Sequence, residues 1–127
     1  MNKNYAISNA DAATASDGKI FLKDSLNLTG MEVSVNNLKA GTGSPFVHSH
    51  KENEELYLIL NGTGKFYVDG NEFPVQAGDA VRVAPEGKRA LFAETEINYI
   101  CIQAKQNSLS QYTMTDGIIC EEKTGWM

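Results

Sequence analysis

The chain has 127 residues, and its two histidines, His48 and His50, stand two positions apart, with Glu55 shortly after them. In an extended segment alternate side chains project to one face, so both imidazoles would point the same way while Ser49 faces the other. A carboxylate that opens the next strand could reach the same point. Two imidazoles and one carboxylate form the facial triad that holds Fe(II), and the same donors suit Mn, Zn, Ni or Cu. The sequence therefore predicts a divalent transition-metal site at His48, His50 and Glu55 with open coordination positions.

The same stretch also has a purely structural interpretation. Two exposed histidines on a strand edge, next to Glu52, Glu54 and Glu55, would form a solvated charged loop without any ion. The metal interpretation is favoured because the chain has no other histidine, and this pair lies beside a carboxylate at the start of the most apolar segment, residues 56–60.

Short apolar runs separated by Gly, Asn, Asp and Pro follow residue 19, and this pattern predicts an all-β fold. Predicted strands cover residues 20–22, 31–38, 46–50, 55–60, 64–68, 71–75, 80–83, 89–93, 97–104 and 118–120. Asp69-Gly70 predicts a two-residue type I′ hairpin turn. The segment 56–60 is apolar on both alternating faces, so both faces are expected to be covered. Many short strands in one domain favour a closed or double-sheet architecture of the jelly-roll kind.

Length and composition restrict the organisation of the chain and its partners. The length predicts one domain, with residues 1–18 as a flexible N-terminal arm and residues 19–127 as the folded part. A net charge of −5 argues against nucleic acid and anionic membrane surfaces. Cys101 and Cys120 lack C-x-x-C spacing, and no leader pattern begins the chain, so a cytoplasmic protein with reduced thiols is expected.

The histidine stretch resembles the first motif of the cupin superfamily. That motif consists of His-x-His, three or four residues, Glu, six residues and Gly, and this spacing is reproduced by His48, His50, Glu55 and Gly62. The resemblance extends over about residues 31–105. It implies a small single-domain cupin, a jelly-roll barrel with a metal ion inside, and it implies ligand roles for His48, His50 and Glu55.

A second cupin motif is also similar, but it lacks one ligand. Gly78-Asp79 opens a strand that ends in the tripeptide 85–87, as in the family. The family's fourth ligand, a histidine, corresponds here to Ala90, so the resemblance implies a site with three protein ligands. If Ala90 faces the barrel interior, strand alternation predicts that Phe92 does too.

Strand alternation also identifies a candidate catalytic residue. If Glu55 points inward, Tyr57 and Ile59 point inward as well. Ile59 is expected to fill the core. Tyr57 is the candidate catalytic residue, since a phenol near a metal can orient a substrate oxygen or donate a proton.

Two functions of different classes fit these residues. One is a metal-dependent enzyme that acts on a small oxygenated metabolite as a dioxygenase, isomerase, epimerase or lyase. The alternative is a non-catalytic cupin whose pocket binds a sugar or another small metabolite. In either case a small-molecule partner is expected, and nucleic acid and membrane are not. If the side of the strand that carries Leu56, Leu58 and Leu60 faces outward, it also predicts a homodimer.

Overall fold

The computed structural model describes residues 4–127, which form an all-β jelly roll with a few single helical turns. The strands are β1 (Lys19–Phe21), β2 (Glu32–Leu38), β3 (Asn53–Asn61), β4 (Thr63–Val68), β5 (Asn71–Gln76), β6 (Ala80–Val83), β7 (Arg89–Ala93) and β8 (Ile97–Lys105). A 3₁₀ turn covers Ala12–Thr14, and the helices are α1 (Lys23–Leu26) and α2 (Thr113–Asp116). No helix among residues 4–127 is long and apolar enough to cross a membrane. The cytoplasmic location stays a prediction.

The strands form two antiparallel sheets. One has five strands in the order β1-β2-β8-β3-β6, and the other has three in the order β5-β4-β7. An apolar core that includes Ile59, Phe66, Leu91 and Ile97 fills the space between them. Phe66 is fully buried and meets the Tyr57 ring edge-on, with ring centroids 4.9 Å apart. This aromatic pair joins the sheets beneath the candidate site.

Two predicted turns have the backbone conformations that their residues favour. Asp69 and Gly70 have φ values of +50° and +89°, as both positions of a type I′ turn require. Gly62, which follows β3, has φ +88°, and a Cβ on it would collide with the Glu96 carbonyl. The last glycine of the first motif is therefore required by the close approach of the chain that enters β8.

Two of the predicted strands are wrong. Residues 46–50 form only an isolated bridge, between His48 and Arg89, and residues 118–120 form no strand. Ile118 and Ile119 have β-branched side chains but are 87% and 98% exposed, because no neighbouring strand pairs with their segment. Local β-propensity alone does not make a strand when no partner strand supplies the ladder.

The predicted N-terminal arm lies partly against the barrel. Residues 1–3 of that prediction fall outside the described residues. Ala12 is buried, and the Gly18 carbonyl accepts a hydrogen bond of 2.8 Å from the Asn37 N–H. Flexibility of the arm stays a prediction.

Beside the cavity, the inner face of the five-stranded sheet carries several polar side chains and its outer face carries aliphatic ones, whereas farther along the inner face Ile59 and Ile97 belong to the apolar core. In β2, Ser34 and Asn36 are buried inside, whereas Val33 and Val35 lie outside and are only partly buried. Neighbouring strands follow the same pattern: Cys101 and Gln103 of β8 and Glu55 and Tyr57 of β3 line the interior, whereas Ile100, Ile102, Leu56 and Leu58 face out. This is the reverse of the usual alternation, in which the apolar face covers the core.

Candidate functional site

Backbone hydrogen bonds place both histidines beside β7. The His48 N–H donates to the Arg89 carbonyl at 3.2 Å, and the Arg89 N–H donates back to the His48 carbonyl at 3.0 Å. The His50 N–H donates to the Pro85 carbonyl at 2.7 Å. The segment needs no regular strand, because these bonds hold it to β7 and to the loop before β7.

The structure brings the three predicted ligands together at one end of the cavity. His50 Nε2 lies 3.1 Å from Glu55 Oε2, and His48 Nε2 lies 3.9 Å from Glu55 Oε1. One ligating atom from each residue falls within 4.8 Å of the others. Two cis ligands about 2.1 Å from a first-row ion are about 3 Å apart. The donor types therefore fit a divalent transition metal, and the His50–Glu55 pair has this spacing, whereas the three ligand atoms together span up to 4.8 Å.

Sequence reasoning missed Arg89, which occupies the inner face where Ala90 was expected. In β7, Arg89, Leu91 and Ala93 are buried, whereas Phe92 is 43% exposed. The expected inward direction of Phe92 is therefore wrong. In the cupin motif the fourth ligand stands three positions after the glycine. Counted from Gly87 this position is Ala90, whereas the residue that faces the site is its neighbour Arg89. No sequence pattern indicates this one-residue shift, because either alternation of residues 89–93 would place apolar side chains inside.

Arg89 is buried, and each of its three guanidinium nitrogens donates at least one hydrogen bond within the protein. Its Nη1 donates to Glu55 Oε1 at 2.6 Å, and its Nε donates to the Gly87 carbonyl at 2.9 Å. Its Nη2 donates to the Ala84 and Pro85 carbonyls at 2.7 and 3.3 Å. Arg89 therefore anchors Glu55 to the loop before β7.

Tyr57 contacts the same carboxylate oxygen. Its hydroxyl donates to Glu55 Oε1 at 2.6 Å, and its side chain is buried in the cavity wall. Arg89 and Tyr57 thus engage Oε1, and Oε2 faces His50. Burial raises the pKa of Tyr57, and the adjacent Glu55 carboxylate raises it further, so the phenol stays protonated.

The electrostatics of the site favour the protonation states of Glu55 and His48 that can bind a metal ion. Burial by itself raises the pKa of Glu55, but the Tyr57 hydroxyl, the Arg89 guanidinium and His50 together hold it below its ordinary value. Partial burial lowers the pKa of His48; the Glu55 charge opposes that shift, and Arg89 adds to it. A deprotonated carboxylate and a neutral imidazole are the forms that bind metal. Burial and the Glu55 charge raise the pKa of the neighbouring Cys101 thiol to about 12, so this thiol stays protonated.

The three predicted ligands lie on the wall of a cavity of about 490 Å³, which is within the usual range for a small-molecule site. Beside Glu55 in the same five-stranded sheet, the inner faces of β8 and β2 continue the wall, which includes Ser34 and Asn36. The site thus combines metal-type donors with a chamber whose wall carries both polar and apolar side chains.

Comparison with known proteins identifies related chains. The sequence profile of the cupin domain family matches residues 35–102. The crystal structure of a cupin protein from Bacteroides fragilis is 50% identical and has a TM-score of 0.85, covering 94% of this chain and 99% of that chain. A Cupin 2 conserved barrel domain protein from Salinispora arenicola is 19% identical with a TM-score of 0.67, covering 82% of this chain and 92% of that one, a likeness that shows the fold alone. An uncharacterized protein from Methanocaldococcus jannaschii is 38% identical over 40 residues, so the match spans about a third of that curated relative (32%).

Proposed function

Since the chain belongs to the cupin domain family, we propose that it is a small metal-binding cupin. In this proposal His48, His50 and Glu55 hold one divalent transition metal ion, and the adjoining cavity takes a small oxygenated metabolite. The observation that carries the proposal is the convergence of three ligand atoms within 4.8 Å at the cavity wall. A bound ion would supply Lewis-acid polarisation of a ligand oxygen.

The chain's own residues have distinct roles in this proposal. Arg89 and Tyr57 engage Glu55 Oε1 and so leave Oε2 facing His50. Glu55 then binds through a single oxygen, and three protein ligands leave coordination positions open to a metabolite. Tyr57 acts as a positioning residue, because its proton is committed to Glu55 and its raised pKa disfavours release of that proton.

The catalytic form of the proposal is a metal-dependent enzyme of the dioxygenase, isomerase, epimerase or lyase type. The second candidate function is a non-catalytic cupin that binds a sugar or another small metabolite. It is favoured by Arg89, since a buried guanidinium that is bonded to Glu55 and to the Ala84 and Gly87 carbonyls takes the inward position next to the one where the cupin motif has a fourth ligand.

Elemental analysis of protein purified without a metal-affinity tag tests the metal proposal. We expect a stoichiometric amount of one first-row divalent ion, with anomalous scattering between His48, His50 and Glu55. A chelator should remove both signals while the fold remains, because the apolar core contains no proposed metal ligand. Protein that is free of metal and stays so when Zn²⁺, Mn²⁺ or Fe²⁺ is added would contradict the proposal.

We further propose that the chain forms a homodimer through the outer face of the five-stranded sheet. Register places two rows of side chains across that face: Ile20, Val35, Ile100, Leu58 and Ala80, and beside them Val33, Ile102, Leu56 and Arg82. Neither row contains an acidic residue, although the chain has a net charge of −5. Because a two-fold dimer uses the same surface patch on both subunits, a partly exposed apolar face of this kind favours a second copy as its partner.

The dimer proposal predicts that Leu58→Glu converts the protein into a monomer in sedimentation equilibrium. Leu58 lies in the middle of one row, where a carboxylate pair would be buried in an apolar interface. Phe92→Glu is the matched control, because Phe92 is an exposed apolar residue of the other sheet. A wild-type monomer at high concentration, or loss of the dimer in the control alone, would refute this arrangement.

A further inference from the structure

Two side chains of the edge strand β1, Lys19 and Phe21, project toward the cavity. The antiparallel pairing with β2 places Lys19 opposite Asn36. It places Phe21 opposite Ser34. Residues that lie directly opposite each other share one face of a sheet, and Ser34 and Asn36 are buried on the inner face. Both β1 side chains accordingly belong to the cavity wall.

We call Lys19, Phe21 and Phe46 the cavity mouth, because they line the cavity and are also exposed to solvent. The two phenylalanines are 54% and 67% exposed. The Lys19 Nζ atom lies 5.7 Å from the centroid of the Phe21 ring. The Phe46 ring lies beside the predicted metal ligands, with its centroid 6.2 Å from that of the His48 ring. The mouth therefore combines one ammonium group with two rings that have apolar surface to bury.

The Lys19 ammonium group has no counter-ion among residues 4–127, since none of the ion pairs in this part of the chain involves it. Asp17 also lines the cavity, but its Oδ1 accepts a hydrogen bond of 3.2 Å from the Lys19 main-chain N–H. The ammonium charge nevertheless acts inside the cavity. Burial lowers the pKa of His48 and raises the pKa of Cys101, and the Lys19 charge acts to lower both. A positive charge at the mouth is therefore available to a ligand.

The charge balance of the cavity wall also favours an anion. The wall contains as many acidic as basic side chains, so their charges cancel while the histidines are neutral. These side chains are Asp17, Glu55, Lys19 and Arg89. A divalent ion at the predicted ligands would make the site positive, although the chain has a net charge of −5, and a positive site attracts anions. A single ammonium group matches the single charge of a carboxylate, and exposed rings match an apolar ligand body.

We propose that the cavity ligand is a small carboxylic acid with an apolar body. Its carboxylate pairs with the Lys19 ammonium group, and its body packs against the Phe21 and Phe46 rings. The inference rests on the proposed function, in which another oxygen of the same ligand lies at the metal site. Burial of the two rings favours a ligand with an apolar part over one that is polar throughout. A neutral sugar would offer neither the charge nor the apolar surface.

Calorimetric titration of the Zn²⁺-loaded protein with hydroxybenzoates and with the corresponding hydroxybenzyl alcohols tests the inference. The ortho, meta and para isomers place the hydroxyl group at different distances from the carboxylate, and each alcohol has the same ring without the charge. At least one hydroxybenzoate is expected to bind about fivefold more tightly than its alcohol, as for an ion pair at a partly exposed site. Glycolate, a hydroxy acid without the apolar body, should bind more weakly than that isomer.

Lys19→Met should abolish this preference, because it lowers the affinity for the hydroxybenzoate by about fivefold and leaves the affinity for the alcohol unchanged. Lys23→Met is the matched control, since Lys23 lies outside the cavity wall and the substitution removes the same charge. It should leave both affinities unchanged. Phe46→Ala should weaken the binding of acid and alcohol alike. Phe92→Ala, which removes an exposed ring outside the wall of this cavity, should weaken neither.

The outcomes separate this inference from the proposed function. Zn²⁺ content is measured on the same samples, and a wild type that does not hold Zn²⁺ refutes the metal site. A protein that holds Zn²⁺ but binds no hydroxybenzoate, or binds phenyl phosphate more tightly, refutes the ligand class alone. If Lys19→Met keeps the wild-type preference for the acid, the ion alone accounts for it and the pairing with Lys19 is wrong. Should Lys19→Met fail to fold, Lys19→Gln makes the same distinction.

Discussion

Glu55→Gln is expected to lower the affinity for Zn²⁺ by at least about 100-fold, whereas Glu54→Gln leaves it unchanged. Loss of an outer contact to a metal ligand typically costs 10- to 100-fold, and loss of the ligand's charge should exceed that. The two glutamates are neighbours on β3, but Glu55 is buried in the cavity and Glu54 lies on the opposite face, across from Ala104. Competition with a chromophoric chelator measures both affinities.

A second variant separates the loss of a metal ligand from the loss of the ion pair between Glu55 and Arg89. Because Glu55→Gln also removes the partner of Arg89, the variant is accompanied by His50→Ala, which keeps the Glu55–Arg89 pair intact. Both variants should lose Zn²⁺ affinity, while circular dichroism shows that His50→Ala is folded. If His50→Ala and Glu55→Gln bind Zn²⁺ as the wild type does, these residues are not the ligands.

Arg89→Met is expected to lower the free energy of unfolding by about 3–5 kcal/mol, the usual cost of leaving one member of a buried ion pair without its partner. Arg89 and Glu55 are 1% and 4% exposed, and their closest atoms are 2.6 Å apart. The substitution also leaves the Ala84 and Gly87 carbonyls without their side-chain donor. Urea unfolding, monitored by circular dichroism, measures the loss.

A double-mutant cycle separates the ion pair from the packing of the side chain. Combining Arg89→Met with Glu55→Gln should recover part of the lost stability, because no uncompensated charge then remains inside. Lys65→Met is the matched control, since Lys65 is exposed on β4 in the other sheet, and it should change stability by less than about 0.5 kcal/mol. A loss below about 1 kcal/mol for Arg89→Met would show that Glu55 is satisfied without its guanidinium.

Much of the fold was predictable because it depends on local and periodic features of the chain. The type I′ turn at Asp69-Gly70 follows from the two residue types, and the rhythm of short apolar segments indicated an all-β jelly roll. Eight strands of the structure correspond to predicted ones. The two that failed, at 46–50 and 118–120, have β-forming residues without a partner strand, and no sequence pattern records whether a partner is present.

The sequence by itself determined which residues meet at the candidate site, because His48, His50 and Glu55 are close in the chain and need only one reversal to converge. Only the tertiary structure decided what surrounds them. Arg89 is 34 positions from Glu55, and its inward direction depends on the register of β7 against β4 and the histidine segment. Because side chains alternate with a period of two, a count that is off by one residue exchanges Arg89 for Ala90 and reverses every face of the strand. The pairing of distant strands likewise decided that Ser34 and Asn36 of β2 face the interior, with Asn36 beside the cavity. The Ser-Val-Asn alternation of β2 is compatible with either face inside.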